Sequence, residues 1–129
     1  MAIVGSTGSG KTTIINLVTR FYDPQSGLIE LNNTNIKDFE ISALRSKIAL
    51  VLQDVFLFAD TILNNITLWN KSISFDNVIT AAKKIGIHEF IMSLPEGYNY
   101  NVKERGIMLS QGQRQLVSFL RAYLKNPSI

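Results

Sequence analysis

Hydrophobic positions along this chain form two kinds of run: short continuous stretches, and longer stretches in which apolar residues recur at helical spacing. Ala2–Val4 and Ile48–Leu52 are continuous runs, a pattern typical of buried parallel strands. Leu28–Leu31 predicts another strand, followed by a turn at Asn32 and Asn33. These runs are the predicted strands of an α/β fold.

Apolar residues at helical spacing predict the other elements. A helix follows the first strand, over about residues 14–21, and breaker residues at 23–27 end it. Four further helices are predicted over residues 61–66, 75–85, 88–93 and 111–125. Ser74 and Ser110 are the expected N-caps of the second and fourth of these helices. Because no clear strand interrupts the first three, this stretch predicts a helical insert.

Composition and charge narrow the class of protein. With 129 residues, 46% of them hydrophobic, the chain is long enough to bury a core. Its longest aliphatic run has five residues, far short of the roughly 20 that a transmembrane helix needs, so we expect the chain to be soluble. The absence of cysteine from the sequence excludes disulfides and thiolate metal sites, and a bound metal would need oxygen ligands. The net charge of +3 is scattered, with only Lys83 and Lys84 adjacent, and does not favour nucleic-acid binding.

The segment after the first predicted strand carries the strongest motif. Residues 5–12 read G-S-T-G-S-G-K-T and match the phosphate-binding loop pattern G-x-x-x-x-G-K-[ST]. Glycines allow the backbone N–H groups to turn inward, and the start of the following helix adds partial positive charge. Lys11 can reach the β- and γ-phosphates of a nucleotide, and the Thr12 hydroxyl can ligate Mg²⁺. The predicted nucleotide-binding residues here are Gly5, Ser6, Thr7, Gly8, Ser9, Gly10, Lys11, Thr12 and Thr13.

Two other interpretations of this segment are weaker. A glycine-rich turn that only joins a strand to a helix needs no such pattern, and the flanking apolar strand and amphipathic helix are the context that a phosphate loop requires. A dinucleotide fingerprint is disfavoured because Thr13 stands where its third glycine should be.

A second motif lies near the end of the chain. Leu109–Gln113 reads L-S-Q-G-Q, is followed by Arg114 and Gln115, and resembles the LSGGQ signature of ATP-binding cassette proteins. With this motif the chain resembles the nucleotide-binding domain of an ABC transporter over nearly its whole length. Gln111 departs from the family pattern, which has glycine at this position.

Further segments extend the resemblance. Phe21–Pro24 resembles the family's segment after the Walker A helix, and Val51–Asp54 resembles its Q-loop. More segments resemble cassettes fused to export-type membrane domains, namely Phe56–Phe58 with Thr61–Ile62 and Asn65–Ile66, then Leu94–Tyr98, and Glu104–Gly106.

The resemblance implies a fold with two parts. The class would be α/β, with a P-loop NTPase core built on a partial parallel sheet and an inserted α-helical subdomain. Residues 1–53 and 109–129 would form the partial core, and residues 54–108 the helical subdomain.

The resemblance also implies roles for residues outside the phosphate loop. In the family two cassettes meet head to tail, so Ser110, Gly112 and Gln113 would touch the γ-phosphate of ATP held by the partner cassette. From the residues alone, Ser110 could be a plain helix cap. Gln53 would approach Mg²⁺ and the attacking water and relay the nucleotide state, although from the residues alone it could simply begin a loop. Thr12 and Gln53 are therefore the implied metal residues.

The resemblance of these segments implies that the chain is part of an exporter. ATP binding and hydrolysis would drive transmembrane export, with ATP and Mg²⁺ as cofactors. Its partners would be a second nucleotide-binding domain and the transmembrane domains, and no nucleic acid is expected. The helical insert would dock the membrane partner, with Glu104 and Arg105 at the contact or, alternatively, forming a solvated charge pair. The chain would lie at the cytoplasmic face of the inner or plasma membrane.

By the same resemblance, part of the catalytic machinery would lie outside these residues. The Walker B aspartate and the catalytic glutamate would follow Ile129, and the aromatic residue that stacks on adenine would precede Met1. We therefore expect an ATPase fragment that is inactive alone, with Gln53 only assisting. Two alternatives stay open: a nucleotide-binding regulatory module without turnover, and a soluble ABC-type ATPase of DNA repair.

Overall fold

The computed structural model of the chain describes residues 3–129. In this range the regular elements are six α-helices and one two-stranded sheet, with short 3-10 turns between them. The helices are α1 (Lys11–Val18), α2 (Ile41–Ser46), α3 (Ile62–Thr67), α4 (Phe75–Lys84), α5 (His88–Met92) and α6 (Gln111–Leu124), and the strands are β1 (Glu30–Leu31) and β2 (Thr34–Asn35). The chain divides into two compact units, Met1–Ile48 with Ser128–Ile129 and Ala49–Pro127.

The first unit contains the phosphate loop, α1, α2 and a tight hairpin. Helix α1 begins and ends three residues before the predicted range of about 14–21. Strands β1 and β2 are antiparallel, with Leu31 paired to Thr34 across the turn. Asn32 and Asn33 adopt φ angles of 50° and 61°, a left-handed conformation that asparagine tolerates better than most residues. The buried core of this unit is small and consists of Ile36, Leu44 and Ile48.

The second unit is helical and holds the larger core. Helix α6 packs against α3 and α4, and α5 packs against α4. The fully or nearly fully buried residues of this core are Leu57, Ile62, Ile66, Val78, Ala81, Ala82, Ile87, Ile91, Tyr98, Val102, Leu109, Val117 and Leu120. The expected helices form here because several of their starts are chemically marked: the Thr61, Ser74 and Ser110 side chains each accept a hydrogen bond from a backbone N–H of the first helical turn. The four helix predictions in this unit are therefore confirmed to within one residue at each end.

Helix α2 was not predicted from the sequence. Its N-cap is Glu40, whose carboxylate accepts hydrogen bonds from the backbone N–H groups of Ser42 and Ala43. Hydrogen bonds hold the pKa of Glu40 below its usual range, chiefly the bond from the Ser42 side chain. Glutamate is not among the residues that usually signal a helix start, so the pattern of preferred caps missed this helix.

Of the three predicted strands, Leu28–Leu31 is confirmed in part by β1, and the other two require correction. Ile48–Leu52 forms no strand, and Leu50, Val51 and Leu52 are exposed. A strand is held by ladder hydrogen bonds to a neighbour, and the sheet among the described residues consists of β1 and β2. Ile3 and Val4 likewise have no regular structure, and Ala2 lies outside the described residues. The sheet between described residues is thus antiparallel and two-stranded rather than parallel.

The predicted division into residues 1–53 with 109–129 and residues 54–108 follows functional motifs, whereas the two compact units follow the packing of the chain. Helix α6 packs on α3 and α4 within the second unit. The functional division stays a prediction.

Candidate functional site

The phosphate loop has the backbone that its glycines predict. Gly8 and Gly10 adopt φ angles of 84° and 86°, a left-handed region that side chains with a Cβ rarely enter. A Cβ built on either residue meets no heavy atom within 4 Å, so the loop is open above both positions. Because glycine has no side chain, there is room for a ligand next to Gly8 and Gly10.

Backbone donors at the end of this loop are free to bind a ligand. Among the described residues, the N–H groups of Gly8, Gly10, Lys11, Thr12 and Thr13 have no hydrogen-bond acceptor, and Ser9 and Ile14 are the neighbours that do, with bonds to Ser6 and Gly10. Free N–H groups at a helix start, with the positive end of the helix dipole, form an anion site.

The Lys11 side chain folds back over the loop. Its Nζ donates hydrogen bonds to the carbonyl oxygens of Gly5 and Ser6 at 2.8 and 2.7 Å, and to Ser9 Oγ at 3.2 Å. The ammonium group is therefore held within the loop by three neutral acceptors. A phosphate oxygen placed there would be a stronger, charged acceptor.

Thr12 lies exposed in the first turn of α1. Within residues 3–129, no group of three or more histidine, aspartate or glutamate side chains forms a metal site. The exposed Thr12 hydroxyl is an oxygen donor of the kind that Mg²⁺ prefers, and it fits a metal shared with nucleotide phosphates. The roles predicted for residues 5–13 stay predictions.

The start of α6 is closed by a reciprocal pair of hydrogen bonds. Gln113 N–H donates to Ser110 Oγ at 3.2 Å, and Ser110 N–H donates to Gln113 Oε1 at 2.8 Å, which is a capping box. The helix-cap interpretation of Ser110 is therefore confirmed. In the described structure the N–H groups of Gln111 and Gly112 have no acceptor, and a Cβ on Gly112 would meet nothing within 4 Å. A second anion site at this helix start stays a prediction. The two free amides of Gln111 and Gly112 would be its donors.

Gln53 lies at a bend in the second unit. Its carbonyl oxygen accepts a hydrogen bond from Gln115 Nε2 at 3.4 Å, and Gln53 and Gly112 line the same open groove of about 670 Å³. Two predicted site residues that are far apart along the chain are thus neighbours on one groove. A role for the Gln53 side chain toward Mg²⁺ stays a prediction.

A buried polar residue near this segment was not predicted from the sequence. Asn65 lies on the apolar face of α3 and is fully buried. Its Oδ1 accepts from Phe58 N–H at 2.8 Å, and its Nδ2 donates to the carbonyl oxygens of Phe58 and Thr61, each at 3.0 Å. The amide thereby holds the turn before α3 in place. The sequence signal that could have indicated its burial is its position between Ile62 and Ile66, at the helical spacing of apolar residues.

Arg121 was missed in the same way. On α6 it follows the buried residues Val117 and Leu120 and precedes the partly buried Leu124. Its guanidinium donates to the main-chain oxygen of Asn65, to Asn65 Oδ1 at 2.9 Å and to the Phe56 carbonyl oxygen at 3.0 Å. Burial lowers the pKa of Arg121.

Asp60 stabilises the same turn from its exposed side. Its carboxylate accepts from Asn64 Nδ2 at 2.9 Å, from Thr61 N–H at 2.6 Å and from Trp69 Nε1 at 3.0 Å. The Asn64 bond is the main cause that holds the pKa of Asp60 below its usual value, followed by the Thr61 bond. Trp69 also stacks edge-on with Phe58, with ring centroids 5.0 Å apart.

Glu104 and Arg105 are both exposed. Although the two residues are adjacent in the chain, no salt bridge joins them in the described structure. The partner contact predicted for these two residues stays a prediction.

Comparison with known proteins gives one consistent result. The family model described as "ABC transporter" matches residues 1–129. YgaD of Bacillus subtilis, named as a candidate multidrug export ATP-binding/permease protein, is 46% identical over all 129 residues, and YknV of the same organism, named as an ABC transporter ATP-binding protein, is 50% identical over the same length. The solved structure of a bacterial Atm1-family ABC exporter with ATP bound is 42% identical, with a TM-score of 0.89 over 95% of this chain.

The chain is much shorter than these proteins. It spans 22% of YgaD, 21% of YknV and 21% of the exporter chain in the solved structure. Within the part of the chain that the structure describes, no helix has the length and apolarity of a membrane span.

Proposed function

Because the chain belongs to the ABC transporter family, we propose that it is the ATP-binding part of an exporter, in which ATP binding and hydrolysis drive a substrate across a membrane. The observation that carries this proposal is the open phosphate loop, with Lys11 at its centre and free N–H groups at the start of α1. The names of the relatives, which refer to export, support this direction and favour neither a regulatory module nor a DNA-repair ATPase.

The loop would hold the triphosphate through its own backbone. The free N–H groups between Gly8 and Thr13 would donate to phosphate oxygens, and Lys11 would exchange its carbonyl partners for the β- and γ-phosphates. Each such charge-assisted bond contributes roughly 1.5–3 kcal/mol. Mg²⁺, when bound, would neutralise charge on the phosphates, with the Thr12 hydroxyl as the proposed protein ligand in the first unit.

A second copy of the domain would complete the nucleotide site. We propose that two domains meet head to tail, so that the start of α6 in one domain faces the γ-phosphate held by the other. The free N–H groups of Gln111 and Gly112 and the open space above Gly112 support this role. Ser110 and Gln113 would join once their mutual bonds open.

An exposed aromatic patch supports a membrane partner. We define this patch as Phe56, Phe58, Leu68 and Trp69, which are between 40% and 56% exposed. The rings of Phe56 and Phe58 stack edge to face at 5.2 Å, so they form a connected surface rather than isolated side chains. Large apolar side chains grouped in this way mark interaction sites. We propose that the transmembrane domains dock here, which would place the chain at the cytoplasmic face of the membrane.

A phosphate-release assay can test the proposal that this chain binds ATP and that hydrolysis also needs residues outside it. We expect this chain to bind Mg·ATP without steady-state turnover, because hydrolysis would use an aspartate and a glutamate outside it. A form that continues through the flanking reading frame should release phosphate. Inactivity of both forms with retained ATP binding would contradict the ATPase and support a regulatory module, while turnover by this chain alone would contradict the need for residues outside it.

A matched pair of variants tests the second anion site. Ser110→Arg should leave Mg·ATP affinity of the single domain unchanged and prevent ATP-driven dimerisation of the complete domain, because the long side chain would occupy the space needed by the γ-phosphate. Ser74→Arg removes an equivalent serine cap from α4 and should dimerise normally. Dimerisation can be followed by size-exclusion chromatography with light scattering. Normal dimerisation of the Ser110 variant would contradict the second site.

A further inference from the structure

Arg121 occupies an unusual place on the helix that begins at the signature motif. It lies eleven residues after Ser110, which corresponds to about 16 Å along α6. Helix α6 packs against α3 within the same compact unit. Any group that ties α6 to its neighbours here therefore also determines where the Ser110 end of the helix lies.

The guanidinium of Arg121 makes its contacts with neutral oxygens. Nε donates to the Asn65 carbonyl oxygen, Nη2 to Asn65 Oδ1 at 2.9 Å, and Nη1 to the Phe56 carbonyl oxygen at 3.0 Å. In the described part of the chain no carboxylate pairs with it. Three bonds from three nitrogens of a planar group fix direction as well as distance, which a lysine cannot do.

Asn65 carries these contacts further. The same Oδ1 accepts from Phe58 N–H, and Nδ2 donates to the Phe58 and Thr61 carbonyl oxygens. One network of hydrogen bonds therefore joins α6, the start of α3 and the segment 56–61, and this segment supplies two residues of the aromatic patch. Asn65 is fully buried and Arg121 is partly buried, so breaking a bond between them would leave a buried polar atom of Asn65 unsatisfied.

We propose that Arg121 is a positioning residue, which fixes the start of α6, with Ser110 and Gly112, relative to the aromatic patch. The inference rests on the proposed function, since it assigns the two ends of this connection to nucleotide and to membrane domains. A movement of the α6 start upon nucleotide binding would then move the patch in the same direction, because Asn65 and Phe56 follow Arg121.

Two variants and one control test this role in the protein that includes the flanking reading frame. Arg121→Gln and Arg121→Lys each remove part of the planar donor set, and Lys83→Gln removes a charge from an exposed position of α4. We expect Arg121→Gln to lower kcat by about ten- to a hundred-fold, since small displacements of reacting groups have effects of this size. KM and the Kd for Mg·ATP should stay within about two-fold with an unchanged binding stoichiometry. A misfolded fraction would lower the stoichiometry together with kcat. Arg121→Lys should lie between the two, and Lys83→Gln should match the unmodified protein.

Amide hydrogen exchange supplies a readout that does not depend on activity. Phe58 N–H should exchange at least roughly ten-fold faster in Arg121→Gln than in the unmodified protein, and be unchanged in Lys83→Gln. If Arg121→Gln does not purify as a folded protein, the same measurements on Arg121→Lys test the positioning role.

The two proposals fail in different ways. An unmodified protein that neither binds ATP nor releases phosphate overturns the proposed function, and Phe58 exchange then decides the structural part of the positioning role. With an active unmodified protein, a kcat of the Arg121 variants within about two-fold of normal, or a loss of Mg·ATP affinity equal to the loss of kcat, overturns the positioning role.

Discussion

Replacement of Lys11 by alanine is expected to weaken Mg·ATP binding to this chain by about ten- to 150-fold. The ammonium group lies among the carbonyl oxygens of Gly5 and Ser6 and the hydroxyl of Ser9, so it is already placed at the centre of the loop. A charge-assisted bond to phosphate contributes roughly 1.5–3 kcal/mol, and this energy is lost with the side chain. Isothermal titration calorimetry with Mg·ATP measures the change directly.

Lys37→Ala is the matched control for this experiment. Lys37 is exposed, belongs to the same compact unit, and its removal changes the net charge by the same amount. If net charge alone attracts the nucleotide, both variants lose affinity equally. Equal affinities of Lys11→Ala and the unmodified chain would remove Lys11 from the proposed site.

The second large effect is expected on stability. Gly106→Ala should lower the free energy of unfolding by roughly 2–5 kcal/mol, from left-handed backbone strain and overpacking together. Gly106 has a φ of 66°, and a Cβ there would lie 2.7 Å from Leu57 Cδ1 and 3.2 Å from Leu57 Cβ. Leu57 is fully buried in the larger core, which restricts its movement away from the new methyl group. Urea unfolding followed by circular dichroism measures the loss.

Gly86→Ala separates the two causes. Gly86 lies in the same unit and has a φ of 77°, but a Cβ on it would meet no atom within 4 Å. This variant should lose only about 1–2 kcal/mol, the part due to backbone strain. If Gly106→Ala is no less stable than Gly86→Ala, then the contact with Leu57 does not require a glycine.

The four helices of the second unit could be predicted because their information is local. Ser74 and Ser110 mark helix starts through bonds to N–H groups three residues later, and apolar spacing marks the face that packs. Strands depend on a partner that is distant along the chain, and the sequence of one strand does not identify it. For this reason Ile48–Leu52 has strand composition without a strand in the structure.

In the candidate site, too, local motifs could be recognised from the sequence and tertiary contacts could not. The phosphate loop is a contiguous motif whose backbone requirements appear as glycines, so residues 5–13 could be named from the sequence. Asn65 and Arg121 act through tertiary contacts 56 residues apart. Their only local signal is a polar residue on an apolar face, which composition and spacing cannot distinguish from a solvent-exposed side chain.

The reciprocal bonds between Ser110 and Gln113 have a thermodynamic consequence. A phosphate that approached these side chains would replace existing bonds instead of filling vacant ones, so the net enthalpy gained from the hydroxyl and the amide would be small. The two unbonded N–H groups of Gln111 and Gly112 would then supply most of the attraction. Affinity at this helix start would accordingly tolerate side-chain replacement at position 111 far better than loss of a main-chain donor, as in a proline substitution.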